Sequence, residues 1–173
     1  TVLTLVLFRL VWGFVGGHWS RFIHFVPTPA MLRTYVQALR TQQAPPSIGH
    51  NPLGALSVLG MLTVLLLQVF SGLMSDDEIA NMGPLSSLVS ASWVSWATSW
   101  HKGWGKTILI FLVVLHLLAL AWYTWRKRQA LVSAMWHGDK ALPHETTATR
   151  DNGPSRAMAL LLLAISVLAV FGL

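Results

Sequence analysis

Four apolar runs separated by polar loops organise this 173-residue chain. Residues 1–16, TVLTLVLFRLVWGFVG, are apolar from the first position and interrupted only by Arg9. Residues 52–73, PLGALSVLGMLTVLLLQVFSGL, contain one side-chain amide, Gln68. The third run lies within SWHKGWGKTILIFLVVLHLLALAWYTW at 99–125, and the fourth, RAMALLLLAISVLAVFGL, covers 156–173. A membrane-spanning helix needs about 20 apolar residues at ~1.5 Å rise each. The second and third runs meet that length, whereas the first and fourth are short for a full crossing. The pattern predicts an all-α integral membrane protein, a helix bundle in one domain over 1–173, with segments at 1–16, 52–73, 101–125 and 156–173. The chain opens in mid-helix, with no initiator Met, basic leader or cleavage site, so further residues are expected upstream of Thr1.

Charge orients the segments. Loop 17–51 carries Arg21, Arg33 and Arg40, and loop 126–155 carries Arg126, Lys127, Arg128, Lys140 and Arg150, with Arg156 at the next helix start. The connection before the third run carries Lys102 beside Asp76, Asp77 and Glu78, with Lys106 just inside the helix. The positive-inside rule makes 17–51 and 126–155 cytoplasmic loops and 74–100 an outer loop. Trp93, Trp96, Trp100 and Trp104 crowd the outer boundary, while Trp122, Tyr123 and Trp125 mark the inner one. Such aromatic belts sit at membrane interfaces. TPAMLRTYVQALR has helical apolar spacing suited to a surface-lying amphipathic helix, and Asn51-Pro52 opens the second run.

Composition agrees: 54% of residues are apolar and 10% charged, against about 25% charged in soluble domains. The net charge of +6 sits mainly in loops, where it sets topology rather than recruiting nucleic acid. The absence of cysteine excludes disulfides, iron–sulfur clusters and covalent c-type haem attachment, leaving histidine as the main ligand type.

His101 and His116 stand fifteen residues apart, ~22 Å along an unbroken helix and ~60° from whole turns. They would face one side of that helix at two depths, too far apart for one metal ion but suited to two stacked cofactors. Haem b fits, because its macrocycle packs between helices and neutral imidazole supplies an axial ligand. A boundary His such as His101 also fits a solvated interfacial residue, and a buried one such as His116 fits an interhelical hydrogen bond. His50 suits a bond to a haem propionate or a quinone, with helix capping as the alternative. Arg9 suits a carboxylate-bearing cofactor, or a snorkelling or helix-bonded guanidinium. His18, His24, His137 and His144 fall in cytoplasmic loops, where solvation is expected.

LFRLVWGFVGGHWSRF, GHNPLGALSVLGMLTVLLLQVFSGL and SWHKGWGKTILIFLVVLHLLALAWY, in that order, resemble bacterial cytochrome b561, grouped with the b-type cytochrome subunit of nickel–iron hydrogenases. The resemblance covers residues 1 to about 138, and the HGDKALPH linker and last run resemble the five-helix subgroup. It implies two b haems, each held by a His pair, with one ligand of each pair matching His101 (outer) and His116 (inner). The other two belong to the family's first helix and the start of its second, and this sequence has no matching positions. Five helices are therefore expected in the native protein, against four apolar segments here.

The expected function is transmembrane electron transfer through two bis-His b haems, between the quinone pool and a c-type cytochrome or other redox protein, in a bacterial inner membrane. A quinone-linked oxidoreductase subunit is compatible with this, and so is a homo-oligomer. The quinone would sit near His50 or near Asp76, Asp77 and Glu78. The alternatives are a cofactor-free membrane anchor or small transporter subunit of a larger complex, and a metal transporter using the histidines.

Overall fold

In a computed structural model, the structure describes residues 1–41, 43, 49–79, 81–126 and 152–172. The expectations for His137, His144, Lys127, Arg128, Lys140, Arg150 and the HGDKALPH linker lie outside these residues.

The described chain is an all-α bundle. Helix α1 covers Val2–Val15, the single turn α2 covers Phe22–Phe25, α3 covers Pro29–Arg40 and α4 covers Pro52–Met74. Beyond a structured loop come α5, Ala91–Lys102, α6, Trp104–Trp125, and α7, Gly153–Phe171. Helix α4 is the hub, packing against α1, α3, α5 and α6, while α7 packs along α1.

Local chemistry sets the helix starts. Thr28 Oγ1 accepts from the Met31 amide at 3.2 Å, Asn51 Oδ1 from the Gly54 amide at 2.7 Å, and Asn152 Oδ1 from the Ser155 amide at 3.1 Å. Each cap stands just before a proline in the first turn, where the missing N–H costs nothing and the fixed φ suits the helix. At the far end of α1, Arg21 Nε donates to the Gly16 carbonyl at 2.9 Å and satisfies a terminal acceptor.

Among the described residues, three apolar stretches are long enough to cross a membrane: Pro52–Met74, Ala91–Trp125 (α5 and α6 end to end) and Gly153–Phe171. Helix α1 is a shorter apolar helix of 14 residues. At ~1.5 Å per residue, α4 is ~34 Å long, against a hydrocarbon core of ~30 Å. The apolar side chains of these helices point largely outward; Phe111 and Leu118 of α6 are each 63% exposed. An outward apolar surface of this extent is stable against lipid rather than water. The structure thus gives three spanning stretches and one short apolar helix.

The third run differs from its expected form. Its helix begins at Ala91 rather than 101, so ten residues read as outer loop are helical. It is also broken at Gly103, where φ −100° and ψ −104° interrupt the α conformation between α5 and α6. The ~22 Å and ~60° relation between His101 and His116 assumed one continuous helix. The break removes that argument from spacing.

The loop between α4 and α5 is tied down at both edges. The Leu85 amide donates to the Leu73 carbonyl at 2.9 Å, and the Asp76 amide to Thr98 Oγ1 of α5 at 3.1 Å. Glu78 takes a left-handed φ of 58° in a turn closed by its amide on Asp76 Oδ1 at 2.8 Å. Asp76, Asp77 and Glu78 mark this as the acidic end of the bundle. The opposite end, with Arg21, Arg33 and Arg40, is the basic end.

Candidate cofactor site

At the acidic end, His101 lies in the last turn of α5, against the last two turns of α4. Its Nδ1 is 2.9 Å from the Gln68 carbonyl oxygen and 3.4 Å from Ser71 Oγ. A carbonyl only accepts, so this contact requires the proton on Nδ1 and leaves the Nε2 lone pair available. Ser71 Oγ donates to the same carbonyl at 3.0 Å. Gly72 opens room for the ring, since a Cβ there would lie 2.9 Å from His101 Cε1.

Gln68 engages His101 a second time. Its Nε2 donates to the His101 carbonyl at 3.2 Å, one of the terminal acceptors that α5 leaves unpaired. The other half of the amide, Oε1, is buried without a hydrogen-bond partner, as is Trp100 Nε1. Both atoms press on Gly105 at the start of α6. A Cβ at Gly105 would run into Gln68 Oε1 and approach Trp100 Nε1 to 2.7 Å. The bare backbone of α6 is what admits the Gln68 amide to the helix break.

At the basic end, α1, α2 and the start of α4 converge. Arg9 Nη1 donates to the Ser20 carbonyl at 3.1 Å, and its guanidinium carbon lies 5.4 Å from the Phe22 ring centroid and 5.8 Å from that of Phe25. Arg9 therefore has a main-chain partner and two aromatic faces, the helix-bonded arrangement. His50 packs its ring 5.4 Å from that of Phe25. Capping is not its role, because the α4 cap is the neighbouring Asn51. Crowding by neighbouring atoms, then the positive charge of Arg9, then His116, hold the His50 imidazole below its ordinary range.

His116 lies within α6 and makes no hydrogen bond to the described residues. The structure brings Arg9 and His116 each within electrostatic reach of His50, while the ring of His101 meets Gln68 and Ser71 instead. The described carboxylates, Asp76, Asp77 and Glu78, all sit at the acidic end. His24 is exposed as expected, and its ring stacks on that of half-buried His18 at 3.9 Å, which also meets Trp19 edge-on.

A second polar tie at the basic end was not foreseen. Asn51 Nδ2 donates to Tyr123 Oη at 2.9 Å, joining the cap of α4 to the last turns of α6. Tyr35, the buried residue of α3, hydrogen-bonds the same Tyr123, and burial followed by that bond pushes its phenol up to about 12. The sequence signals were present but weak: a lone amide in an apolar run for Gln68, and an Asn-Pro step for Asn51.

The arrangement suits haem unequally at its two candidate ligands. His101 has its Nδ1 on a main-chain carbonyl, the outer contact that orients metal-bound imidazoles. His116 has a free ring on an apolar helix. Among the described residues, no group of three or more His, Cys, Asp or Glu side chains could hold a metal ion. A site built from three or more convergent ligands is therefore not formed among the described residues.

These features define a polytopic all-α membrane protein with isolated imidazoles on its spanning helices. The family model for prokaryotic cytochrome b561 matches residues 1–138, and the chain belongs to that family. It is a membrane-embedded protein of an electron-transport family, with the multi-pass topology of a bacterial inner-membrane cytochrome b561. No curated protein and no solved structure matches the chain.

Proposed function

We propose that this chain carries electrons across the membrane as a b-type cytochrome, with His101 an axial ligand at the acidic end and His116 at the basic end. The observation that carries the reading is the His101 Nδ1 contact with the Gln68 carbonyl at 2.9 Å, which leaves Nε2 available to iron. A haem b bound by these imidazoles would supply one-electron transfer chemistry. The chain's own part is to bind and orient it: α4 holds the His101 ring, and apolar faces exclude water. Arg9 and His50 lie where a propionate or a quinone oxygen at the basic end would meet cationic and N–H groups. Membrane lipid surrounds the helices, with quinone on one side and a c-type cytochrome or other redox protein on the other as exchange partners. Each haem would take its second imidazole from a residue other than His101 and His116.

One observation favours a second reading. The described residues provide single, separated imidazoles and no metal-holding group, as a cofactor-free membrane anchor or small transporter subunit would. Spectroscopy separates the two. Native protein purified from haem-replete membranes should show a dithionite-reduced α-band of b type. His101→Ala should remove the acidic-end component and His116→Ala the basic-end one. Absence of any such band supports the anchor, and full retention of both haems in either variant overturns the ligand assignment.

A further inference from the structure

The lone amide of the second apolar run, Gln68, makes more contacts with His101 than sequence spacing could suggest. Its main-chain oxygen meets His101 Nδ1 at 2.9 Å, while its side-chain Nε2 donates to the His101 carbonyl at 3.2 Å. Two hydrogen bonds between the same two residues, one through each backbone oxygen, fix the ring and its own main chain relative to α4. The ring cannot turn toward α4 without meeting Gly72, and it cannot turn away without losing the Gln68 carbonyl.

We propose that Gln68 is the positioning residue for the acidic-end imidazole: with Gly72 and Gly105 it locks His101 in the Nδ1–H tautomer and presents Nε2. The inference rests on the reading of His101 as a ligand, but the tautomer can be measured whether or not haem is present. Each glycine has a distinct part. Gly72 leaves space for the imidazole, and Gly105 leaves space for the Gln68 amide, whose Oε1 a Cβ would strike. The amide accepts an unsatisfied Oε1 beside the equally unpartnered Trp100 Nε1 in order to reach the α5 terminus. A buried polar atom left unpaired costs about 1–3 kcal/mol. That cost is sustained because Nε2 satisfies the carbonyl exposed by the break at Gly103.

The test uses the native protein in lipid nanodiscs with three variants. Gln68→Leu deletes the amide, Gly105→Ala expels it without altering Gln68, and Gly72→Ala presses on the ring itself. Two readouts are taken: haem affinity at each site by spectral titration, and the His101 protonation pattern by nitrogen-15 NMR of histidine-labelled protein. Outer contacts to a metal-bound His are worth about 10- to 100-fold in affinity. The expected result is a loss of about that size at the acidic-end haem alone, with unchanged affinity at the basic end. In haem-free protein, the wild type should show His101 protonated at Nδ1 only, and each variant should show a mixture of tautomers, because loosening the α5 terminus from α4 or pressing on the ring lifts the imidazole off the Gln68 main-chain carbonyl. Any variant that fails to fold leaves the other two to decide. A wild type protonated at Nε2, or folded variants that all keep wild-type affinity and tautomer, overturns the proposal. A wild type that never takes up haem but shows the tautomer change overturns the ligand reading and sustains the positioning of His101.

Discussion

Asn51→Ala removes two contacts that hold opposite ends of separate helices together. Asn51 Oδ1 caps α4 by accepting from the Gly54 amide at 2.7 Å, and Nδ2 donates to Tyr123 Oη of α6 at 2.9 Å. Losing an Asn cap costs typically about 1 kcal/mol, and a net intramolecular hydrogen bond is worth about as much. Pro52 still starts the helix and Tyr35 still bonds Tyr123, so nothing else is left unpaired. The expected destabilisation is therefore about 2 kcal/mol. Asn51→Asp separates the two terms. It keeps an acceptor for the Gly54 amide and adds a negative charge at a helix N-terminus, but it has no N–H for Tyr123. Its cost should be at most about 1 kcal/mol. Reversible unfolding in mixed micelles with increasing denaturing detergent, followed by far-ultraviolet circular dichroism, gives the two values directly. An Asn51→Ala variant within about 0.5 kcal/mol of wild type, or an Asp variant as unstable as the Ala one, refutes the double role.

Burial pushes the Tyr35 phenol up to about 12, so the tyrosinate absorbance lost in a Tyr35→Phe variant should be the part that rises near that pH on alkaline titration. Because folding raises that pKa from 10.0, the associated stabilisation is complete below about pH 10 and is lost between there and about 12; a Tyr35 phenol that ionises at 10.0 would contradict it. Lys102→Ala breaks an ion pair of 4.0 Å with Asp77 from a side chain 59% exposed, and should change stability by less than about 1 kcal/mol in the same detergent titration. Gly103→Ala places a Cβ 2.7 Å from the Ser99 carbonyl, so it should lower stability, whereas Gly60→Ala, with open space at that position, should not clash with any protein atom. If Gly103→Ala proves neutral, the close approach at the break is not a constraint.

What could be read from sequence divides along the range of the interactions. The helix starts were legible because each is a local event: Thr28-Pro29, Asn51-Pro52 and Asn152-Gly153-Pro154 place a capping oxygen before a proline within one turn. The second and third spanning stretches were legible because length and apolar content decide them, whereas the fourth, read as short from 156, gains its length from a helix that starts at Gly153. The break at Gly103 was not legible, since the HKGWGK stretch continues a helical pattern on either side, and the partner that satisfies the His101 carbonyl there, Gln68, arrives from α4. The convergence of Arg9, His50 and His116 was hidden for the same reason, being set by how α1, α4 and α6 pack. Sequence did mark each participant, as an isolated polar residue in an apolar environment, because such a residue is expensive without a partner. The site therefore reads as a requirement in the sequence and as an answer in the fold. His101 needed something to hold it, and what holds it is the amide thirty-three positions earlier.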